Sequence, residues 1–297
     1  MKKISTYLVY ISIPFLLFFL YKLDYLSLSG IQIQFKYLII ACVFSIVGFY
    51  LSAINWRTVL KLGKISISLP LAVISHGLPI FSKYIPGKMW VILGRSGIVS
   101  KRLLVNQVKV TYFSLQEQLV FIWLGLLISL HLAVHLLDSS YWILYALFLI
   151  VLTLFLFTKR IHDIALSFLN KFLKRKIEVP FIELKKTPVL IAGCCSYWLS
   201  WMIGFYFLVK AFSFPNLTVD VAIVFPFSSV LGLIAVFAPG GIGIREGLMT
   251  LALLQFGITK EYAIPIAVMA RIWFLLGEIF IFLYAIILNY RNKLSST

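Results

Sequence analysis

Long apolar runs dominate the sequence, and short polar stretches separate them. A bilayer core about 30 Å thick needs roughly 20 apolar residues in an α-helix. Runs close to or above that length are candidate spans; they are residues 4–21, 37–54, 110–134, 141–158, 188–209 and 262–289. They lack the regular alternation of a transmembrane β-strand. The pattern therefore predicts an all-α polytopic membrane helix bundle with about six full spans.

Two further apolar segments, residues 69–94 and 219–257, are interrupted near their middle. Proline removes a backbone donor and clashes with the preceding turn, while glycine permits a left-handed backbone. We expect each segment to be two half-helices that meet at a break, re-entering on the side from which it started. Whether 219–257 is fully re-entrant or includes a full span stays open. The residues that form the breaks are Pro86, Gly87, Pro239, Gly240, Gly241 and Gly243.

The order of these elements predicts an inverted repeat. Span 37–54, broken segment 69–94 and span 110–134 form one triplet, and span 188–209, segment 219–257 and span 262–289 form a second of opposite orientation. Paired, interrupted segments in two halves are a sequence signal for a transporter binding site. We therefore expect one transmembrane domain over 1–297, with one half in about 1–158, a basic linker in 159–187 and a second half in 188–297.

Composition and charge agree with a membrane protein and exclude other classes. The chain is 62% hydrophobic and 12% charged, with a formal net charge of +17. No solvated basic domain is visible, so the charge does not indicate nucleic-acid binding. Lys and Arg concentrate in alternate loops, which the positive-inside rule assigns to the cytoplasm. We expect a multi-pass protein of the inner (cytoplasmic) membrane with both termini in the cytoplasm and with the first apolar run retained as a span.

The linker 159–187 is basic and partly amphipathic. Its apolar residues fall near one helical face; they are Ile161, Ile164, Ala165, Phe168 and Phe172. An interfacial helix on the anionic leaflet has this pattern. A solvated basic loop that only fixes topology is the alternative, and the sequence does not decide between them.

Charged residues beside the breaks and in the following helices are the candidate site. A helix N-terminus offers unsatisfied N–H groups, and nearby cations make it suited to phosphate. The candidate substrate-binding residues are Lys88, Arg95, Arg245, Arg271, Glu117, Glu246 and Glu278. Ionisable residues at membrane depth usually face a bundle interior. Glu117 is expected to pair with Arg245 or Arg271, and Glu278 with Lys88 or Arg95. A surface turn with snorkelling cations, or ion pairs that only lock helices together, remains the structural alternative.

Enzymatic and metal chemistry have little support in the sequence. The histidines, His76, His131, His135 and His162, are scattered, and the cysteines, Cys42, Cys194 and Cys195, lie in apolar runs without zinc or redox spacing. No nucleophile motif or paired catalytic carboxylate is visible. We expect no catalytic residue, no metal and no cofactor, and a protein that is not an enzyme.

Two motifs carry a family resemblance. Tyr84-Ile-Pro-Gly-Lys-Met-Trp90 with Gly94-Arg95, and Pro239-Gly-Gly-Ile-Gly-Ile-Arg-Glu-Gly247, resemble the transmembrane domain of the lysylphosphatidylglycerol synthase/flippase family. The resemblance implies movement of a lipid headgroup between leaflets. The soluble domain that makes the aminoacyl lipid in bifunctional members does not follow the last span, so synthesis is not expected.

The sequence thus predicts a flippase-like lipid translocase. Its cargo would be an anionic headgroup, either a phospholipid or a polyprenyl-phosphate-linked sugar, and envelope-biosynthesis enzymes are possible partners. The alternative is a non-transporting membrane subunit, or a lipid-modifying enzyme, of a cell-surface polysaccharide or lipid pathway.

Overall fold

The structure, a computed structural model, describes residues 32–85, 89–173, 187–215, 217–235, 241 and 243–294. Regular structure in these ranges is helical throughout. The helices are α1 (Phe35–Leu62), α2 (Leu69–Gly77), α3 (Trp90–Leu103), α4 (Gln107–Ile128), α5 (Leu130–Leu136), α6 (Ser139–Phe157), α7 (Lys159–Leu173), α8 (Thr187–Ala211), α9 (Val224–Ile234), α10 (Ile244–Gln255) and α11 (Lys260–Leu294), with 3₁₀ turns at Ile80–Tyr84 and Val219–Ile223. The protein is an all-α polytopic bundle, as the apolar runs predict.

Five helices of the described ranges are long and apolar enough to cross a membrane. They are Phe35–Leu62, Gln107–Ile128, Ser140–Phe157, Thr187–Ala211 and Lys260–Asn292. They match five of the predicted spans, and the sixth, 4–21, lies outside the described residues. The predicted span 110–134 is wrong at its end. There α4 stops before Ser129, whose hydroxyl donates to the carbonyl of Gly125 (2.6 Å), and a separate short helix α5 follows.

Both interrupted segments consist of two helices. In the first, α2 ends at Gly77, a 3₁₀ turn covers Ile80–Tyr84, and α3 begins at Trp90. In the second, α9 ends at Ile234 and α10 begins at Ile244. The break residues Pro86, Gly87, Pro239 and Gly240 lie outside the described residues. The depth at which each segment enters a membrane stays a prediction.

The helices begin where local sequence supplies capping groups. Ser68 accepts a hydrogen bond from the N–H of Leu71 (3.3 Å), with a proline in the first turn of α2. Asn106 accepts from the N–H of Val108 (2.8 Å) at the start of α4. Such caps satisfy donors that the first turn of a helix leaves free.

The two halves pack in the same pattern. Helix α1 of the first half packs along α8 of the second. Each closing span covers the broken segment of the other half: α11 packs on α2, and α4 packs on α9. Within the halves, α3 packs on α4 as α10 packs on α11. Exchanging α1 with α8, α2 with α9, α3 with α10 and α4 with α11 reproduces these pairs, which supports a repeat without testing its inverted orientation.

Candidate functional site

The first group of buried charges lies between α3 and α4. A guanidinium nitrogen of Arg95 on α3 lies 2.7 Å from a carboxylate oxygen of Glu117 on α4. Arg95 also donates to the hydroxyl and, at 2.8 Å, to the carbonyl of Ser114. The amide of Asn55 on α1 donates to Glu117 (2.8 Å), and the Arg95 guanidinium lies 4.3 Å from the ring centre of Trp56. We call this group the α3–α4 pair.

The α3–α4 pair is enclosed and balanced in charge. Arg95 is 5% exposed and Glu117 is 3% exposed. One cation faces one anion; Arg95 donates to Ser114 on α4, and Glu117 accepts from Asn55 on α1. A buried ion pair with this support holds its helices together but has little capacity for a further charged group. Glu117 therefore pairs with Arg95 of its own half. The expected pair with Arg245 or Arg271 is wrong.

A second, larger group lies where the first break meets α10 and α11. We call it the cation cluster; it comprises Lys83, Arg245 and Arg271, the carboxylates Glu246 and Glu278, and the rings of Tyr84, Phe225 and Phe274. Lys83 forms an ion pair with Glu278, which also accepts a hydrogen bond from the hydroxyl of Tyr84 (3.0 Å). The Arg271 guanidinium lies 3.5 Å from Glu246. The described part of the cluster has three cations and two anions.

Two aromatic rings bring the three cations close to one another. Lys83 and Arg271 both lie 5.4 Å from the ring centre of Tyr84. Lys83 and Arg245 lie 5.2 and 4.9 Å from that of Phe274. A ring face attracts a cation within about 6 Å. The rings therefore favour a concentration of positive charge that the two carboxylates do not fully balance.

Arg245 is the least compensated cation in this part of the structure. It is 8% exposed, and its guanidinium lies 5.0 Å from the ring centre of Phe225. No carboxylate of the described residues forms an ion pair with it, and its Nη2 has no hydrogen-bond partner there. Buried charges are normally paired and hydrogen-bonded. Arg245 is thus available to an anion.

Glu246 occupies the start of α10 beside Arg245. Its carboxylate accepts a hydrogen bond from the backbone N–H of Gly243 (2.7 Å) while its other oxygen faces Arg271. Gly241 and Gly243, with φ of 72° and 83°, have the left-handed backbone that glycine adopts without strain. A β-carbon on Gly241 would lie 2.8 Å from the carbonyl oxygen of Gly232, so this turn is also tightly packed. The glycines allow the turn before α10, where the N–H of Gly243 donates to Glu246 close to Arg271.

Equivalent helix pairs carry opposite charge order in the two halves. Between α3 and α4, the arginine is on the helix after the break and the glutamate is on the closing span. Between α10 and α11, Glu246 is on the helix after the break and Arg271 is on the closing span. Among the described residues of these helix pairs, the second arrangement includes a further buried arginine, Arg245.

The structure divides the predicted site residues between the two groups. Arg95 and Glu117 form the α3–α4 pair, whereas Arg245, Arg271, Glu246 and Glu278 lie in the cation cluster; Lys88 is outside the described residues. Glu278 pairs with Lys83 and not with Arg95, the described one of its two suggested partners. The described residues contain no group of three possible metal ligands.

The site residues predicted from the sequence do not include Lys83, Tyr84, Phe225 or Phe274. Lys83 and Tyr84 stand just before Ile85 and the first Pro-Gly, so their nearness to a break was an available signal. Nothing in the sequence separated the two phenylalanines from the many that face lipid, since only the fold brings them to Arg245.

Comparison with known proteins identifies the family. A search of curated proteins gave no match to this chain. The family described as the lysylphosphatidylglycerol synthase TM region matches residues 7–277, which include both interrupted segments and all the charged residues above except Glu278. The chain is therefore a multi-pass membrane protein that belongs to the lysylphosphatidylglycerol synthase TM region family.

Proposed function

We propose that the protein is a flippase-like translocase that moves a lipid with an anionic headgroup between the leaflets of the cytoplasmic membrane. The cargo is a phospholipid or a polyprenyl-phosphate-linked sugar, which share a phosphate group. The observation that supports this most is Arg245, a buried guanidinium held by two aromatic rings without a carboxylate partner among the described residues.

The energetics favour an anion as the missing partner. A buried charge without a partner is costly, and ionisable residues within membrane segments often mark substrate paths. The rings of Phe225 and Phe274 stabilise the cation but neutralise no charge. A phosphate offers oxygens that guanidinium groups bind in pairs, and Arg245 and Arg271 are adjacent donors for it.

Glu246 stands in for the headgroup when no lipid is bound. Its carboxylate contacts a helical N–H and Arg271, the two kinds of group that bind phosphate at a helix N-terminus. An arriving headgroup would replace Glu246 at these donors and add the charge that Arg245 lacks. Glu246 is 21% exposed in its side chain, so it has room to turn away.

The rest of the fold suits a path for the headgroup alone. Lys83, at 28% side-chain exposure, lies at the edge of the cation cluster and gives a first contact. The acyl chains would remain in the lipid while the headgroup passes between the two halves, which avoids the cost of a bare anion in hydrocarbon. No bond is made or broken in this process, so we propose that the protein is not an enzyme.

The proposed orientation places both termini and the basic linker in the cytoplasm. The basis is the distribution of Lys and Arg, which is heaviest between α6 and α8. Envelope-biosynthesis enzymes that use or supply the lipid are the proposed partners.

A vesicle assay tests the proposal. The purified protein is reconstituted into vesicles that contain a trace of fluorescent phosphatidylglycerol or, as the control, fluorescent phosphatidylcholine with identical tails. A membrane-impermeant reductant then bleaches the probe in the outer leaflet. We expect the fluorescence of inner-leaflet phosphatidylglycerol, or of a polyprenyl-phosphate probe, to be lost much faster with the protein than in protein-free vesicles. The loss should also be faster than that of the phosphatidylcholine probe. Rates equal to protein-free vesicles for every anionic probe would contradict translocation. A chemically altered lipid recovered afterwards would instead favour an enzyme.

A further inference from the structure

The membrane span that precedes helix α7 places this helix next to the membrane surface. The span Ser140–Phe157 and helix α7, which begins at Lys159, are separated by one residue. The single residue between them, Thr158, has extended backbone (φ −111°, ψ 107°), so the chain changes direction there. The start of α7 is therefore fixed at the boundary where a membrane span ends.

One side of α7 is anchored to the bundle. His162 is 3% exposed, and its Nε2 forms a 2.5 Å hydrogen bond with the hydroxyl of Tyr112 on α4. Tyr112 in turn accepts a hydrogen bond from Gln116 (2.8 Å), and the His162 ring lies 6.0 Å from that of Phe155 on α6. These contacts fix the rotation of α7 about its axis.

The opposite side of α7 is exposed and divided into two edges. At about 100° per residue, Ile164 and Phe168 lie on one edge, Asp163 and Ser167 lie on the other, and Arg160 and Lys171 lie between them. Ile164 is 61% exposed and Phe168 is 74% exposed. The polar and basic members of this surface are exposed as well. We call these six residues the outer face of α7.

We infer that the outer face of α7 is a docking surface for an anionic lipid leaflet, separate from the cation cluster. Ile164 and Phe168 enter the boundary between headgroups and acyl chains, and Arg160 and Lys171 contact lipid phosphates. A lipid surface suits this face better than a protein partner because α6 delivers the helix to the membrane and its two edges match the two layers of the interface. Amphipathic helices with basic polar faces bind anionic leaflets in this way.

Fluorescent labels on neighbouring positions test the depth of the two edges. Cys42 and Cys195 are replaced by Ser, and Cys194, which is fully buried, is kept. A single cysteine at Phe168 (Phe168→Cys) or, as the matched control, at Ser167 (Ser167→Cys) carries an environment-sensitive dye in the full-length protein. In vesicles of phosphatidylglycerol and phosphatidylcholine, we expect blue-shifted emission at 168, quenched by nitroxides on the acyl chains, and water-like emission at 167. Water-like emission at both positions would overturn the inference and leave the face to a soluble partner or to solvent.

A second comparison tests whether the outer face of α7 needs anionic lipid to bind. The label at 168 is compared between vesicles with phosphatidylglycerol and vesicles of phosphatidylcholine alone. We expect a smaller blue shift and less quenching without the anionic lipid, and we expect Arg160→Gln with Lys171→Gln to remove this difference. Equal signals in both kinds of vesicle would overturn the anionic part of the inference.

Discussion

Arg95 and Arg245 are two buried arginines of one bundle with different surroundings. Arg95 has a carboxylate at 2.7 Å, two bonds to Ser114 and the ring of Trp56. Arg245 has two aromatic rings and no ion-pair partner among the described residues. The environment of Arg95 is that of a structural ion pair, whereas the lack of an ion-pair partner for Arg245 among the described residues is the basis of our proposal that it binds an anion.

Loss of Arg95 should therefore act on stability. Arg95→Met leaves Glu117 buried without its cation, and we expect a loss of roughly 3–5 kcal/mol in the free energy of unfolding in detergent. The double variant Arg95→Met with Glu117→Gln removes both charges and keeps an acceptor for Asn55, so most of that loss should be regained. Its transport per folded molecule should match the wild type. A stable single variant that no longer moves lipid would place Arg95 in the transport path instead.

At the scale of residues, the sequence shows which groups are unusual but not how they pair. Charges inside apolar runs are conspicuous, and six of the seven candidate residues lie within the described ranges, all at ion-pair or ring contacts. The partners depend on which helices touch. Glu117 meets Arg95 because α3 packs back on α4, a contact that spacing along the chain does not encode.

Among the helices, the contact between α2 and α11 depends on a small residue. A β-carbon on Gly77 would lie 2.6 Å from the carbonyl oxygen of Ile281 and 2.8 Å from the β-carbon of Ala285. Close backbone approach through small residues is a common basis of helix packing in membranes. This contact also holds α11, which carries Glu278 and Arg271, against the segment that carries Lys83.

A pair of alanine variants tests this packing. Gly77→Ala forces α2 and α11 apart, and we expect a destabilisation of about 1–3 kcal/mol, the usual range for overpacking. Gly247→Ala in α10 is the control, because its new methyl would have nothing within 4 Å. The control should be neutral or slightly stabilised through helix propensity. Equal unfolding temperatures of Gly77→Ala and wild type in detergent would show that the contact is less tight than described.

Helix positions were largely predictable because apolar length determines a membrane span. Helix ends were less so. Helix α1 continues to Leu62, beyond the predicted 54, since Trp56, Val59 and Leu60 remain buried there. The split after Ile128 arises from a serine bonded back to the helix, which hydropathy does not register.

At the scale of the whole molecule, the halves share one packing pattern but not one charge pattern. Each closing span packs on the broken segment of the other half. Within the described residues, the second half has a buried arginine, Arg245, that forms no ion pair. The element order predicted two similar halves, but their internal similarity in sequence is too weak to show which one would bind an anion.

The central claim is that Arg245 binds the anionic headgroup during translocation. The most direct measurement compares phosphatidylglycerol and phosphatidylcholine movement in vesicles holding wild type, Arg245→Gln, Arg245→Lys or Arg291→Gln, the last an exposed arginine near the end of α11. Hydrogen bonds to charged groups are worth about 1.5–3 kcal/mol, so Arg245→Gln should slow phosphatidylglycerol roughly tenfold or more. Arg245→Lys should retain part of the rate, and Arg291→Gln all of it. Undiminished phosphatidylglycerol movement by folded Arg245→Gln would contradict the account.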